Sequence, residues 1–327
     1  MTQPLIRVLA SLALGWFALN EGSAAAQEFP TRPIRWIVPA PAGGGADLLA
    51  RTLGERVSPG LGQPVLVENR AGAGGNIAAE AVARAAPNGH TLLMTDAAPL
   101  VINPSLYARL SFDPLADLKP IARLASFPFL LLAHPSVPAE TLADLIALAR
   151  ARPGTLAYAS TGVGTPQHLG GEMFRSLAGD LDIVHVPYRG GAPAVVDLLS
   201  GQVQLGFIGI PPTLGHIQSG RLRALGVSSL ARAAVLPNVP TIAEAGLPGY
   251  EAVVWFALMG PARLPTGIAT RMHEAVAAAL TDPAVQARLA SQGFTTDPAG
   301  PAEMAAFLSS EAEKWRGLVT ASGARVE

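Results

Sequence analysis

Along the chain, short apolar runs alternate with stretches whose apolar positions recur every three to four residues. Ile34–Ala40 predicts a strand, the glycine-rich Pro41–Ala46 a loop and Asp47–Val57 a helix. The unit repeats as a strand over Pro64–Asn69, a second glycine loop over Ala71–Gly75 and a helix over Asn76–Ala86. Thr91–Asp96 is a third strand. Strands alternating with helices predict an α/β fold with a mostly parallel sheet covered on both faces.

Asp117–His134 is apolar and extended, with Pro120 and Pro128 inside it, and predicts a strand pair crossing into a second lobe. Ala139–Arg152 predicts a helix, with Leu142, Leu145, Ile146 and Ala149 on one stripe. The opening pattern then recurs. Leu156–Ser160 reads as a strand, Thr161–Thr165 as a glycine loop and Pro166–Gly179 as a helix, with Thr165 at the N-cap and Pro166 in the first turn. Strands over Asp182–Tyr188, Val203–Gly209 and Arg221–Val227 and a helix over Ala192–Gln202 complete this half. Val253–Pro261 returns the chain to the first lobe, and two apolar-striped helices close it. The expected division is residues 27–126 with 252–327 in one lobe and 127–251 in the other.

Composition changes this picture in three ways. Arg7 precedes an apolar run, Val8–Leu19, and the small residues Ala24–Ala26, which reads as a signal peptide cleaved after Ala26 and places the mature protein in the periplasm. The run is too short to span a bilayer comfortably. The chain has no cysteine, which excludes thiol nucleophiles, cysteine-ligated metals and a lipid anchor at the cleavage site. Its net charge of −1 and lack of basic runs argue against nucleic acid as a partner.

The glycine loops carry the chemistry. The first backbone N–H groups of a helix lack partners inside it, and the helix dipole adds partial positive charge. Glycine lets a ligand approach that backbone closely. One such terminus contributes up to about 2 kcal/mol per charge when partly buried; a micromolar affinity needs about 8 kcal/mol. Two termini facing each other across a cleft that closes would do better than one. Both loops also read as plain strand-to-helix turns. Enzyme signatures fit poorly. Gly43, Gly44 and Gly45 are contiguous instead of spaced for dinucleotide binding, and neither a phosphate-binding P-loop nor a serine nucleophile elbow is present. The histidines are scattered, and His168 with Glu172, four apart, reads as a helix-surface contact; no metal site and no cofactor is expected.

Seven segments in order resemble the periplasmic solute-binding proteins of tripartite tricarboxylate transporters, the Bug or TctC-like family. They are Pro30–Arg51, Val65–Leu93, Asn103–Tyr107, Tyr158–Phe174, His185–Phe207, Gly220–Val227 and Leu236–Glu251. The resemblance implies a two-lobed, Venus-flytrap fold of the type II class. It implies a carboxylate held by backbone N–H groups and water at the first strand-to-helix loop, with the second lobe's glycine loop closing over it. The corresponding ligand-binding positions are Gly43, Gly44 and Asp47 in the first lobe and Ser160, Thr161, Gly164, Thr165 and His168 in the second. Thr95 and Asp96 end the third strand on the cleft side, and Tyr188 and Arg189 are further candidates. The sequence departs from the family at Ala40, Ala42, His90 and Ile208-Gly209; the last predicts a less polar wall around the ligand's far end.

The resulting expectation is a monomeric receptor, not an enzyme, for a small organic acid. Its partners would be the large and small membrane subunits of a tripartite transporter. An exported α/β enzyme acting on a small acid and a ligand sensor for a signalling partner are the alternatives.

Overall fold

The computed structural model describes residues 29–326; the expected signal peptide and its cleavage point lie outside the described residues. In chain order the first lobe opens with β1 (Ile34–Val38), α1 (Gly45–Leu61), β2 (Val65–Asn69), α2 (Asn76–Ala83), β3 (Thr91–Asp96) and the short helices α3 (Asn103–Leu106) and α4 (Pro114–Asp117). A long strand, β4 (Leu118–Ala133), leads out of it. Next come α5 (Leu142–Ala151), β5 (Leu156–Ser160), α6 (Pro166–Leu177), β6 (Ile183–Pro187), α7 (Gly191–Ser200), β7 (Leu205–Gly209), α8 (Leu214–Gln218) and β8 (Arg223–Val227). The chain returns through β9 (Val253–Pro261) to α9 (Thr266–Leu280), α10 (Pro283–Ser291), β10 (Thr295–Ala299) and α11 (Pro301–Ser322).

The sheet is mixed. β2, β1 and β3 are mutually parallel, as are β6, β5 and β7, and the antiparallel strands β9 and β4 join the two sets. The expected parallel α/β core therefore holds for the outer three strands of each lobe. β9 and β10 flank β4 up to Pro128; from Phe129 onward β7 and β8 take over its two edges. That exchange of partners marks the passage between lobes.

The segment Asp117–His134 is one continuous strand and not the expected pair. Its two prolines did not break it because each sits where the ladder is already irregular. The pairing with β9 slips just after Pro120, and Pro128 stands where β4 changes partners. A proline in a strand is tolerated at such positions because no ladder bond is lost. At the C-terminus three helices and a strand replace the two expected helices: α10 and the short polar β10 stand between α9 and α11.

Strand directions place the site. β3 is antiparallel to β9 and β9 to β4, so β1 and β3 run with β4 toward the second lobe. β7 and its parallel neighbour β5 run against β4, toward the first. The carboxyl ends of both parallel sets face each other, and the loops after β1, β3, β5 and β6 meet at the waist. Beneath them, Phe127 packs with Phe256 and Phe294, ring centroids 5.6 and 5.2 Å away.

Candidate functional site

In the first lobe, β1 ends at Val38 and α1 begins at Gly45. Gly44 is the N-cap residue and, having no side chain, caps nothing. Among the described residues the backbone N–H groups of Gly45, Ala46 and Asp47 have no protein acceptor. Gly43 has φ of 83°, a left-handed conformation that suits glycine, and a Cβ there would meet empty space. Its N–H donates to Asp47 Oδ2 at 2.9 Å. Asp47 also receives Arg51 Nε at 3.0 Å to both oxygens. Burial pushes the Asp47 carboxyl up, but hydrogen bonds from Arg51, Gly43 and Asn69 and the Arg51 charge outweigh it and hold the group below its usual range. Asp47 is thus buried behind the loop and fixes its shape, while the three free donors lie at the helix end.

A side chain at Gly45 would press on Phe127, its Cβ 2.9 Å from the ring, and one at Gly209 would come within 3.3 Å of the same ring. Phe127 therefore lies between the start of α1 and the end of β7. Nothing in the pattern of an apolar strand separated this ring from ordinary core, so the sequence reading missed it. Ile208, expected as part of an apolar wall, is fully buried in the second lobe's own core with Leu130, Leu132 and Val195. The apolar surface near the cleft is Phe127 instead.

Asp96 ends β3. Its Oδ1 accepts the Ala98 N–H at 3.0 Å, and burial raises its carboxyl above the usual range against that bond. Thr95, on the opposite face of the strand, is fully buried, and its hydroxyl donates to the Asp96 carbonyl at 3.3 Å.

The second lobe's loop uses its polar groups internally. Thr165 caps α6 as expected, its Oγ1 accepting the His168 N–H at 3.3 Å and donating to the Gly162 carbonyl at 2.8 Å. His168 Nδ1 accepts the Gly164 N–H at 3.1 Å. The Ser160 hydroxyl receives the Gly162 N–H at 3.2 Å and lies 2.7 Å from His185 Nε2. Thr161 Oγ1 donates to Gln167 Oε1 at 3.1 Å. The His168 and His185 rings stack at 4.0 Å, and Tyr158 stacks on the far side of His185 at 4.9 Å. Burial lowers His168, and burial with the neighbouring His168 and Arg175 brings His185 down to about 3, so both rings are neutral.

His168 was expected on the helix surface beside Glu172. It is instead buried, and Glu172 accepts from Tyr158 at 2.6 Å and pairs with Arg175 at 2.9 Å. The cause is the docking of α6 on the first lobe. A side chain at Gly164 would collide with Leu106 of α3, and Leu169 packs in the cluster that holds Trp255 and Leu100. Tyr188 hands its hydroxyl to Asp197 at 2.7 Å, and burial and that carboxylate raise the phenol to about 12. Arg189 is exposed and forms no ion pair among the described residues. Two cavities lie away from these loops. One, of about 290 Å³, is between α6 and α11 near Arg175 and Leu318; the other, of about 520 Å³, covers the crossing strands near Arg123 and Phe307.

The site thus combines three unpaired backbone donors, one carboxyl on β3, an aromatic floor and a self-bonded loop opposite. Known proteins share this architecture. The family model for tripartite tricarboxylate transporter family receptors matches residues 49–324. Protein BugT of Bordetella pertussis is 39% identical over 327 residues, covering 99% of each chain. Rpa4515 of R. palustris, solved with adipate, superposes with a TM-score of 0.85 at 35% identity, over 91% of this chain and 100% of that one. MatC of Rhodopseudomonas palustris, solved with bound malate, gives 0.80 at 32% identity over 89% and 100%.

Proposed function

The chain belongs to the tripartite tricarboxylate transporter family of receptors, and on that premise we propose that it is a periplasmic receptor, not an enzyme, that encloses one small carboxylate and delivers it to a tripartite membrane transporter. The observation that carries this reading is the uncapped start of α1, where three N–H groups converge without a protein acceptor. A carboxylate there gains hydrogen bonds and the helix dipole together. The relatives solved with adipate and malate support the same ligand chemistry.

In this reading the Thr161–Thr165 loop closes over the ligand, with Ser160, Gly164, Thr165 and His168 holding that loop's shape. Asp47 does the same for the first loop, beneath Gly43 and Gly44. Asp96, with Tyr188 and Arg189, borders the cleft, while Thr95 packs behind it on the other face of β3. The lobes are residues 27–126 with 252–327 and residues 127–251, turning on β4 and β9. The protein acts as a monomer, exported by its signal peptide, with the transporter's large and small subunits as partners.

A thermal-shift screen of the mature protein against small carboxylic acids and uncharged analogues tests this. A ligand at 100 times its Kd adds about 2.7 kcal/mol of stability, a rise of a few degrees. A rise confined to carboxylates is expected. Stabilisation only by uncharged solutes or nucleotides, or turnover of a stabilising acid, would overturn the proposal.

A further inference from the structure

Two carboxyl groups border the first-lobe loop, and their surroundings differ. Asp47 is paired with Arg51. Asp96 has no cation paired with it among the described residues; its hydrogen-bond donor is the Ala98 N–H. That turn bond needs no charge, since an asparagine or serine oxygen accepts the same N–H. Asp96 is half-buried, and its carboxyl has that one N–H and no cation to offset the partial loss of water, which is costly for its ionised form.

Its position says what would compensate it. Side chains alternate faces along a strand. Leu92 and Met94 of β3 pack in the same core cluster as Leu49, Ala50 and Leu53 of α1, whereas Leu93 packs in the other. Asp96 follows in step with Leu92 and Met94, on the α1 face. Continuing the parallel register of β1 and β3 sets Asp96 level with Ala40, at the entry to the Pro41–Gly44 loop. Phe127 and Phe256 lie on this face too. Three unpaired N–H donors and one unpaired carboxyl thus share one face at one end of the sheet.

We propose that the ligand is a zwitterionic amino acid, its carboxylate on the N–H groups of Gly45, Ala46 and Asp47 and its ammonium on Asp96. This rests on the carboxylate reading above and narrows it. A simple carboxylate at the α1 terminus would leave Asp96 unpaired and repelling it, whereas an ammonium on the adjacent carbon neutralises Asp96 in the same act of binding. Burial already raises the Asp96 carboxyl, as expected of an acid still lacking its counter-ion.

Matched acids with and without the amino group test it by calorimetry at pH 7.5: glutamate against glutarate, aspartate against succinate, phenylalanine against 3-phenylpropionate. The parent protein should bind at least one amino acid about tenfold or more tighter than its des-amino partner, the equivalent of about 1.4 kcal/mol. Asp96→Asn, which keeps the Ala98 contact, should reduce that preference to within about threefold, and Asp96→Ser should do the same if the asparagine variant is unstable. Des-amino acids binding as tightly as their partners to the parent, or a preference that survives in a folded Asp96 variant, would overturn the proposal and leave the carboxylate receptor standing. Failure of every acid of both kinds to bind would remove both.

Discussion

The two glycine loops face each other at the waist and follow strands of the same kind, yet they spend their hydrogen bonds differently. In the second lobe the loop is nearly self-sufficient. Thr165 caps α6, Pro166 has no N–H to satisfy, His168 takes the Gly164 N–H, and Ser160 binds both Gly162 and His185. In the first lobe comparable pairing lies beneath the loop or away from it. Asp47 ties Gly43 to Arg51 from behind, and Glu311 clamps the crossing strand β9 to α11 by accepting from Trp255 at 2.6 Å and Trp315 at 2.7 Å. The first loop's end is left with unpaired donors. Glycine content alone therefore does not distinguish the two loops; what differs is whether their own side chains leave the helix N-terminus open. In the proposed receptor the first loop receives the anion and the second holds a fixed surface against it.

The largest effect should come from the first lobe's clamp. Glu311→Ala would leave two buried indole N–H groups without an acceptor, at about 1–3 kcal/mol each. Chemical denaturation should show a loss of about 2–5 kcal/mol. Carboxylate affinity of the folded variant should stay within about threefold of the parent, because the clamp lies outside the loop. A larger change in affinity would mean that the pairing around β9 and the open loop are one unit, and the comparison would fail.

Gly44→Asp should convert the first loop into the second kind. Gly44 has φ −78° and ψ 169°, open to any residue, and its Cβ would lie 3.4 Å from the Pro41 carbonyl, an ordinary contact. An aspartate there would cap α1 with its own carboxylate. Carboxylate affinity should fall by about 30-fold or more, matching about 2 kcal/mol for a charge at a partly buried helix terminus. Stability should hold or rise by a few tenths of a kcal/mol. Undiminished affinity in calorimetry would show that ligand does not use the start of α1.

Much of this contrast lay beyond the sequence. The strands, both glycine loops and the Thr165 cap were legible because short apolar runs, glycine and N-cap chemistry are local signals. The continuity of β4 was not, since Pro120 and Pro128 read as breaks until the ladder shows where their missing N–H groups fall. The polar Thr295–Ala299 strand left no hydrophobic pattern to find. At the site, the sequence supplied the loops and not their state. His168 looked like a surface residue because four-residue spacing to Glu172 says nothing about α6 docking on Leu106 and its neighbours. Asp47 looked like a ligand contact, and only folding shows its carboxylate turned to Gly43 and Arg51. Ile208 looked like a cleft wall, while the alternation of β7 sends it into the second lobe's core.

A pH titration sharpens the second lobe's side of the comparison. His185 is held neutral down to about 3 by burial and by the adjoining His168 and Arg175, against an ordinary value of 6.5. Above pH 6.5 neither the folded nor the unfolded ring carries a proton, and the loop has its full stability. Below it the unfolded ring binds a proton that the folded ring refuses, so stability is lost as pH falls from 6.5 toward 3, at up to about 1.4 kcal/mol per unit. His168, also lowered, adds to this slope; Glu172, against Tyr158 and Arg175, is the nearby acid, and Ser160 keeps its contact to an asparagine. The parent's melting temperature should therefore drop more steeply between pH 6.5 and 5 than that of His185→Asn. Equal slopes would mean that the stacked rings open to solvent in the folded protein.

The smallest effect is expected at Thr165. Thr165→Ala removes the hydroxyl that caps α6 and that also reaches the Gly162 carbonyl. Loss of an N-cap costs about 1 kcal/mol, and a melting curve should register it as a drop of a few degrees. If the second loop serves as a surface, its remaining pairs through His168 and Ser160 keep that surface in place, and carboxylate affinity should change by less than about threefold. The freed His168 N–H adds a donor to the second loop, so the variant also asks whether the ligand draws on that side. Tighter carboxylate binding in Thr165→Ala would show that the ligand reaches the start of α6 as well, making the two loops equivalent anion sites and the contrast between them one of degree.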